Sequence, residues 1–167
     1  LPEGVFAIGG DDVQGLIRTS YRFRDLYAGL DDRLYVLDVA GTVIGSYDPS
    51  TLALDRFFDA ARPINALAVD ADGTVWGAGK NGSLYHFSSD GALLGSLVTG
   101  VTELIDIDLN ITGKILLTSR DGTVLKTSTS MASPTSFSTG ALPAFITPGR
   151  HQTLPAGDVI IQLTNSD

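Results

Sequence analysis

The chain has 167 residues, 43% hydrophobic and 18% charged, which is enough for one domain with a buried core and excludes a disordered tail. Of its 19 acidic residues 17 are Asp, while Lys occurs three times and Gly 19 times, so turn formers outnumber strong helix formers and an all-β domain is expected. The net charge of −8 disfavours nucleic acid and anionic membrane surfaces as partners.

Cysteine is absent, which excludes disulfides and thiolate metal sites. No apolar run approaches the ~18 residues of a membrane-spanning helix, so no transmembrane segment is expected.

Two short strands are predicted at the start of the chain, over Gly4–Gly9 and Val13–Thr19. Asp11 and Asp12 form the turn between them, because Asp favours turns.

The middle of the chain repeats itself. Residues 64–100 align with residues 104–140 without a gap at an offset of 40, and residues 23–59 align with 64–100 at an offset of 41. Each unit has four short apolar or alternating runs, which in the second unit are 64–69, 74–79, 83–88 and 92–98. A four-stranded antiparallel unit that repeats every ~40 residues is typical of a β-propeller blade.

The hairpin turns are predicted where a small residue precedes glycine. Asn81-Gly82 and Asp121-Gly122 are pairs that tolerate positive φ at both central positions of a type I′ turn. Weaker or further turns of this kind are predicted at Ala40-Gly41, Asp72-Gly73 and Asp90-Gly91.

The end of the chain supplies two more strands, Pro143–Thr147 and Asp158–Thr164. Joined to the two N-terminal strands they overlay a repeat unit, which predicts a fourth blade latched by pairing between the chain ends. The predicted fold is thus one all-β propeller domain over 1–167, four blades of four antiparallel strands. The blades lie at about 21–60, 61–100, 101–140, and 141–167 plus 1–20.

Two other assemblies use the same strands. Two chains would form an eight-bladed ring, or the ends would pair between molecules in a head-to-tail filament. The self-closed monomer is favoured, because the two ends of one chain are tethered close together.

The motif Asp70-Ala-Asp72-Gly73-Thr-Val75-Trp76 resembles bacterial propeller repeats of the regulator-propeller and NHL kind. Residues 31–35 are a looser copy, and the third unit has lost the Asp. These families include sensors, adhesion modules, lyases and scaffolds, so the resemblance implies the fold and leaves the function open.

Few residues are candidates for catalysis. His86 lies in a third strand at a position that suits solvent exposure, because the other units have Gly45 and Lys126 there. His151 lies in an insertion, 148–156, interpreted as a surface loop. No residue is therefore assigned as catalytic, cofactor-binding or metal-binding.

Asp106 and Asp108 alternate with apolar residues, so both point to one side of an inner strand near the propeller axis. The aligned residues are Asp25 and Tyr27 in the first unit and Ala66 and Ala68 in the second. The favoured interpretation is that these carboxylates accept backbone hydrogen bonds; an axial calcium ion is the alternative. No cofactor is predicted. Asp70 and Asp72 are explained by turn formation.

Most aromatic residues fall at repeated apolar strand positions and are predicted to pack between blades: Phe6, Tyr35, Trp76, Tyr85 and Phe87. Four others are candidates for an exposed glycan-binding shelf: Tyr21, Tyr47, Phe57 and Phe58. Three arginines near the first unit are interpreted as surface residues rather than a basic cluster: Arg18, Arg22 and Arg24.

The favoured function is a non-enzymatic, extracellular or cell-surface interaction or scaffold module, a structural subunit that self-associates or binds a protein or glycan. The β-architecture, the acidic composition and two glycosylation sequons, Asn81-Gly82-Ser83 and Asn110-Ile111-Thr112, favour it. The alternative is a glycan or lactone hydrolase or lyase with its site around Asp25, Asp106 and Asp108.

Overall fold

The computed structural model describes residues 5–9, 12–17, 23–51, 53–138, 143–148 and 159–163, and the surroundings of side chains within 24–138. In these ranges the regular structure consists of sixteen strands. The all-β prediction is confirmed.

Twelve strands form three four-stranded antiparallel sheets, called blades, in which each strand pairs with the next along the chain. Blade 1 contains β3 (Phe23–Ala28), β4 (Leu34–Asp38), β5 (Val43–Tyr47) and β6 (Leu54–Asp59). Blade 2 contains β7 (Ile64–Val69), β8 (Val75–Gly79), β9 (Ser83–Phe87) and β10 (Leu93–Val98). Blade 3 contains β11 (Leu104–Leu109), β12 (Lys114–Ser119), β13 (Thr123–Ser128) and β14 (Thr135–Ser138).

The remaining strands form two separate hairpins. β1 (Val5–Gly9) pairs with β2 (Asp12–Ile17), and β15 (Pro143–Pro148) pairs with β16 (Val159–Leu163). β15 packs against β11 and β12, as the first strand of a fourth blade would. The predicted pairing between the two hairpins is not among the pairings of the described strands, so the structure has three complete blades and an open arc rather than a closed four-bladed ring.

The two largest clusters of buried side chains form two layers, one on each face of blade 2. Strand alternation sends successive side chains to opposite faces, so blade 2 presents Leu67 and Val75 to blade 1 and Trp76 to blade 3. All three side chains are at most 1% exposed. The prediction that Tyr35, Trp76, Tyr85 and Phe87 pack between blades is confirmed.

The hairpin turns lie where the sequence predicts, but their type differs. The N–H of Gly82 donates to the carbonyl of Gly79 at 3.1 Å, and Gly82 has φ +74°, while Asn81 is not among the described residues with positive φ. The turn therefore ends in one left-handed glycine, and the type I′ prediction was wrong. Asn81 Oδ1 instead accepts the N–H of Ser83 at 3.2 Å, a local bond that stabilises the turn.

The glycine that ends the turn between the second and third strands also touches the next blade. A Cβ placed on Gly82 would lie 1.8 Å from the carbonyl oxygen of Val101, and one on Gly41 would lie 2.0 Å from that of Ile64. At the second of these contacts the Ile64 N–H also donates to the Gly41 carbonyl at 2.8 Å. Only glycine permits this approach, so these turns set the spacing between blades.

We expect Gly82→Ala to be strongly destabilising, by on the order of 4 kcal/mol, because the backbone of residue 101 would have to move. Gly100→Ala is a matched control: Gly100 has φ +88° and a Cβ added there would meet nothing within 4 Å, so only backbone strain of about 1–2 kcal/mol applies. Urea unfolding of both variants measures the difference; equal losses would contradict the role assigned to the contact.

Candidate functional site

The inner strands place two sets of equivalent residues around the axis. The first set is Asp25, Ala66 and Asp106, and the second is Tyr27, Ala68 and Asp108, each with one member on β3, β7 and β11. Because blade 2 contributes only alanines, side chains of blades 1 and 3 can reach across it.

Asp25 ties blade 1 to blade 2. Its Oδ2 accepts the backbone N–H of Leu67 at 3.0 Å, and its Oδ1 accepts the N–H of Leu26 at 2.9 Å. Burial raises the pKa of Asp25 above its ordinary value of 3.8, and these two hydrogen bonds partly oppose the rise. The carboxylate is thus engaged on both oxygens by the backbone.

Tyr27 and Asp108 tie blade 1 to blade 3. The Tyr27 hydroxyl donates to Asp108 Oδ1 at 3.1 Å, and the same oxygen accepts the backbone N–H of Leu109 at 2.7 Å. Asp108 is 5% exposed, so this hydrogen bond lies in a buried setting where it contributes more than at the surface. The sequence placed both residues near the axis but did not predict that they bond to each other.

The favoured interpretation of these carboxylates, acceptance of backbone hydrogen bonds, is confirmed for Asp25 and Asp108. Asp106 lies on the same face of β11 as Asp108 and also has an interaction partner. Within the described ranges no three His, Asp or Glu side chains cluster as a metal site requires. Calcium binding and axial hydrolase or lyase activity stay predictions.

His86 is half-buried rather than solvent-facing, and the sequence prediction for it was wrong. Its ring stacks on Trp76 with the centroids 3.8 Å apart and the planes 6° from parallel. Both His86 Nε2 and Trp76 Nε1 are buried without a hydrogen-bond partner. Burial lowers the pKa of His86 below its ordinary 6.5, an effect that the charges of Asp72 and Asp70 partly oppose.

Asp72 forms a turn, as predicted: its Oδ1 accepts the N–H of Thr74 at 2.9 Å and the Thr74 hydroxyl at 2.7 Å. These bonds lower the pKa of Asp72.

The predictions for Phe6, Arg18, Tyr21, Arg22 and His151 concern side chains outside the described residues.

A polar network crosses all three blades near one end of the inner strands. The Arg24 guanidinium donates to the Val39 carbonyl at 2.9 and 3.1 Å and to the Asn65 side chain. The Asn65 amide donates to Glu103 at 3.0 Å, and Glu103 forms a salt bridge with Arg120 that lowers the pKa of the Glu103 carboxyl. Arg24 was interpreted as a plain surface residue; its long-range bonds, which no local pattern indicates, show that it joins two blades.

The predicted aromatic shelf does not form as a group. Tyr47 and Phe58 are 8% and 9% exposed, whereas Phe57 is 51% exposed. Phe57 lies on the face of blade 1 that points away from blade 2, where it pairs across the strands with Gly45.

The outer strand of blade 2 carries an exposed apolar surface. Leu93, Leu94 and Val98 of β10 are 43%, 55% and 79% exposed, and β10 is the last strand of its sheet. We call the solvent side of this strand the β10 edge. The sequence alone does not reveal that this strand is exposed, because an apolar run of this length in a repeat equally predicts a buried strand.

Comparison with solved structures identifies the fold class as a β-propeller repeat. The WD40 repeats of RRP9 superpose with a TM-score of 0.64 and 12% sequence identity over 78% of this chain and 43% of that one. The Pan2 WD40 domain of Neurospora crassa gives a TM-score of 0.58 and 15% identity over 76% of this chain and 41% of that one.

The chain spans about two fifths of the length of both propeller domains. No protein-family model matches it, and no curated protein matches it. Both of these structures are WD40 domains, so the narrower resemblance to the regulator-propeller and NHL kind stays a prediction. No helix in the described ranges is long and apolar enough to cross a bilayer.

We predict that Tyr27 and Asp108 are energetically coupled. A double-mutant cycle of Tyr27→Phe and Asp108→Asn should give a coupling free energy of about 1–2 kcal/mol in urea unfolding, since the bond is partly buried and involves a carboxylate. Tyr35 is the control, because its hydroxyl donates to Asp31 at 2.7 Å instead. A cycle of Tyr35→Phe with Asp108→Asn should show no coupling, and equal values in both cycles would contradict the cross-axis bond.

A second prediction concerns pH. Because the pKa of His86 is lower in the folded chain than in the unfolded one, its contribution to stability is complete above pH 6.5 and is lost as the pH falls below that value. The variant His86→Phe keeps a ring on Trp76 and lacks the titration. As the pH falls from 7 to 5, the free energy of unfolding of this variant should therefore rise relative to that of the parent. If the difference between the two free energies stays constant over this range, His86 is not desolvated in the folded chain.

Proposed function

We propose that the protein is a non-enzymatic interaction and scaffold module that binds an extended segment of a partner protein at the β10 edge. The observation that carries the proposal is the exposed apolar side chains of this strand. A strand with a free edge presents unpaired N–H and C=O groups, which a partner strand can pair with.

The other two outer strands differ from β10 in features that discourage such pairing. β6 contains three charged residues, Asp55, Arg56 and Asp59, and Arg56 forms an ion pair with its neighbour Asp55 at 3.3 Å. β14 is only four residues long. β10 has six residues and no charge among them. Charged and short edge strands resist the addition of another strand, so β10 is the edge on which strand addition is favoured.

The side chains beside the β10 edge indicate which kind of partner segment fits there. Gly95 of β10 has the Met131 side chain beside it, with Sδ 3.2 Å from a Cβ position on the glycine. Leu97 packs into the layer between blades 2 and 3. A partner strand with alternating apolar side chains would continue this layer, while its backbone hydrogen bonds would supply most of the affinity.

We place this module outside the cell, where the propeller would act as a surface structural protein. The sequons support the proposal, because Asn81 and Asn110 both lie in hairpin turns. Asn81 is exposed, although its amide also donates to the Tyr85 hydroxyl at 2.8 Å, so a glycan there would replace that bond.

Peptides selected from a random display library against the folded protein test the β10 edge. We expect the selected peptides to alternate apolar residues and to slow hydrogen exchange of the β10 amides. Val98→Lys should weaken their binding at least tenfold, because a lysine on an edge strand opposes strand addition.

Ile111→Lys is the matched control, since Ile111 is 85% exposed in a turn of blade 3, close to the 79% of Val98. Peptides that bind the Val98→Lys variant as tightly as the parent, or that protect other strands, would overturn the proposal.

A further inference from the structure

Three residues of blade 2 form a row across the sheet that ends in a glycine. Trp76 of β8 pairs with His86 of β9, and His86 pairs with Gly95 of β10. Residues paired in this way share one face of the sheet, and Trp76 lies in the layer between blades 2 and 3. Because β10 is the last of the described strands in this sheet, the outer end of the row is the backbone of Gly95.

The corresponding rows of the other two blades end in a side chain. These rows are Tyr35–Ser46–Arg56 in blade 1 and Leu116–Lys126–Thr135 in blade 3. Only the row of blade 2, among these three, ends without a side chain on its outer strand. An aromatic residue on a neighbouring strand covers an edge glycine well, because its ring lies over the exposed backbone.

A shift in strand register places the glycine at this position. Leu93 pairs with Phe87 and Gly95 pairs with His86, so Leu94 is an extra residue between them. Without this residue shift Leu94 would stand opposite His86. Bulges of this kind on edge strands redirect side chains and are frequent next to functional sites.

The only methionine of the chain lies beside Gly95. Met131 Cε and Sδ are 3.1 and 3.2 Å from the position that a Cβ on Gly95 would take, and the Met131 side chain packs on the layer between blades 2 and 3. Methionine is flexible, and its sulfur makes favourable contacts with the edges of aromatic rings. Met131 can therefore move to admit a ring over Gly95 and then contact that ring.

The backbone holds Met131 in an unfavourable conformation. Its φ is +55°, in the left-handed region that bulky residues rarely adopt. The Met131 N–H donates to the Ser128 carbonyl at 2.9 Å, and the Thr127 hydroxyl donates to the Ala132 carbonyl at 2.6 Å, so hydrogen bonds fix the chain on both sides. Backbone strain that the surroundings impose in this way is concentrated at functional sites.

The inner part of the row is aromatic and uncharged. The rings of Trp76 and His86 are stacked with their centroids 3.8 Å apart. Burial lowers the pKa of His86, so its imidazole is neutral at pH 7. A ring placed over Gly95 would extend this stacked pair toward the outside of the blade without meeting a charge on it.

We propose that the partner segment at the β10 edge carries an aromatic residue opposite Gly95, and that this residue selects the segment. Its ring covers the glycine and contacts the Met131 thioether. The partner residues two positions away point to the same face and continue the apolar layer beside Leu97. The inference rests on the proposed function, since it names the residue that the β10 edge recognises in its protein partner.

Blocked peptides of the sequence Thr-Val-Thr-X-Thr-Val-Thr, with Phe or Leu at X, test the pairing when titrated against the folded protein. We expect the Phe peptide to bind about fivefold more tightly, from the contacts of its ring with glycine and methionine. A ¹³C label on the methyl group of Met131 gives a single NMR signal, because the chain has one methionine. The Phe peptide should shift this signal upfield through its ring current, and the Leu peptide should not.

Gly95→Ala places a methyl group where the ring would lie. The near contacts of that methyl group are with the flexible end of Met131, so we expect the variant to fold and its preference for the Phe peptide to fall below about twofold. Ser96→Ala is the matched control, because Ser96 pairs with Tyr85 on the opposite face of β10, and it should keep the full preference. Met131→Leu repeats the test by removing the sulfur if Gly95→Ala fails to fold.

The outcomes separate this inference from the proposed function. Equal binding of the two peptides, with slowed hydrogen exchange of the β10 amides, would overturn the aromatic pairing and leave the β10 edge as a binding site. A preference for Phe that Gly95→Ala and Met131→Leu leave intact, or a Met131 signal that does not move, would place the ring elsewhere and also overturn it. Peptides that leave the exchange of the β10 amides unchanged would overturn the proposed function together with this inference.

Discussion

The structure depends on the close approach of one blade's turn to the backbone of the next. Gly41 and Gly82 bring their α-carbons so near to the carbonyls of Ile64 and Val101 that no side chain fits. The distance between sheets follows from these contacts, and the apolar layers on both faces of blade 2 are packed at that distance. A repeat that kept its strands and lost these glycines would still form hairpins, but the hairpins would not stack in the same way.

Polar side chains then hold the inner strands together. Asp25 accepts a hydrogen bond from blade 2, Tyr27 donates one to blade 3, and Asn65 connects Arg24 to Glu103. Near the axis of a propeller the strands converge, and backbone groups there cannot all pair within their own sheet. Asp25 and Asp108 satisfy such backbone groups, which gives both carboxylates a structural role.

Exposed apolar side chains occupy different places in blades 1 and 2. Blade 2 buries both of its faces against its neighbours, and its exposed apolar residues, Val98 among them, lie on the outer strand β10. In blade 1, Leu26 of the inner strand β3 is about half exposed. The two positions differ physically, because an outer strand offers backbone groups as well as side chains to a partner strand.

The sequence by itself determined the strands, the positions of the turns and the packing of Trp76 and Phe87, because alternation, glycine placement and repeat spacing are local properties of the chain. Only the tertiary structure decided that Asn81 keeps a negative φ, that His86 stacks on Trp76 and that Tyr27 reaches Asp108. The open arc was also decided only by the tertiary structure. The angle between blades is set by contacts between residues about 40 positions apart, and the pairing of the chain ends depends on the sum of these angles over every blade. No local pattern encodes such a sum, which is why the blades were predictable from the sequence and their closure was not.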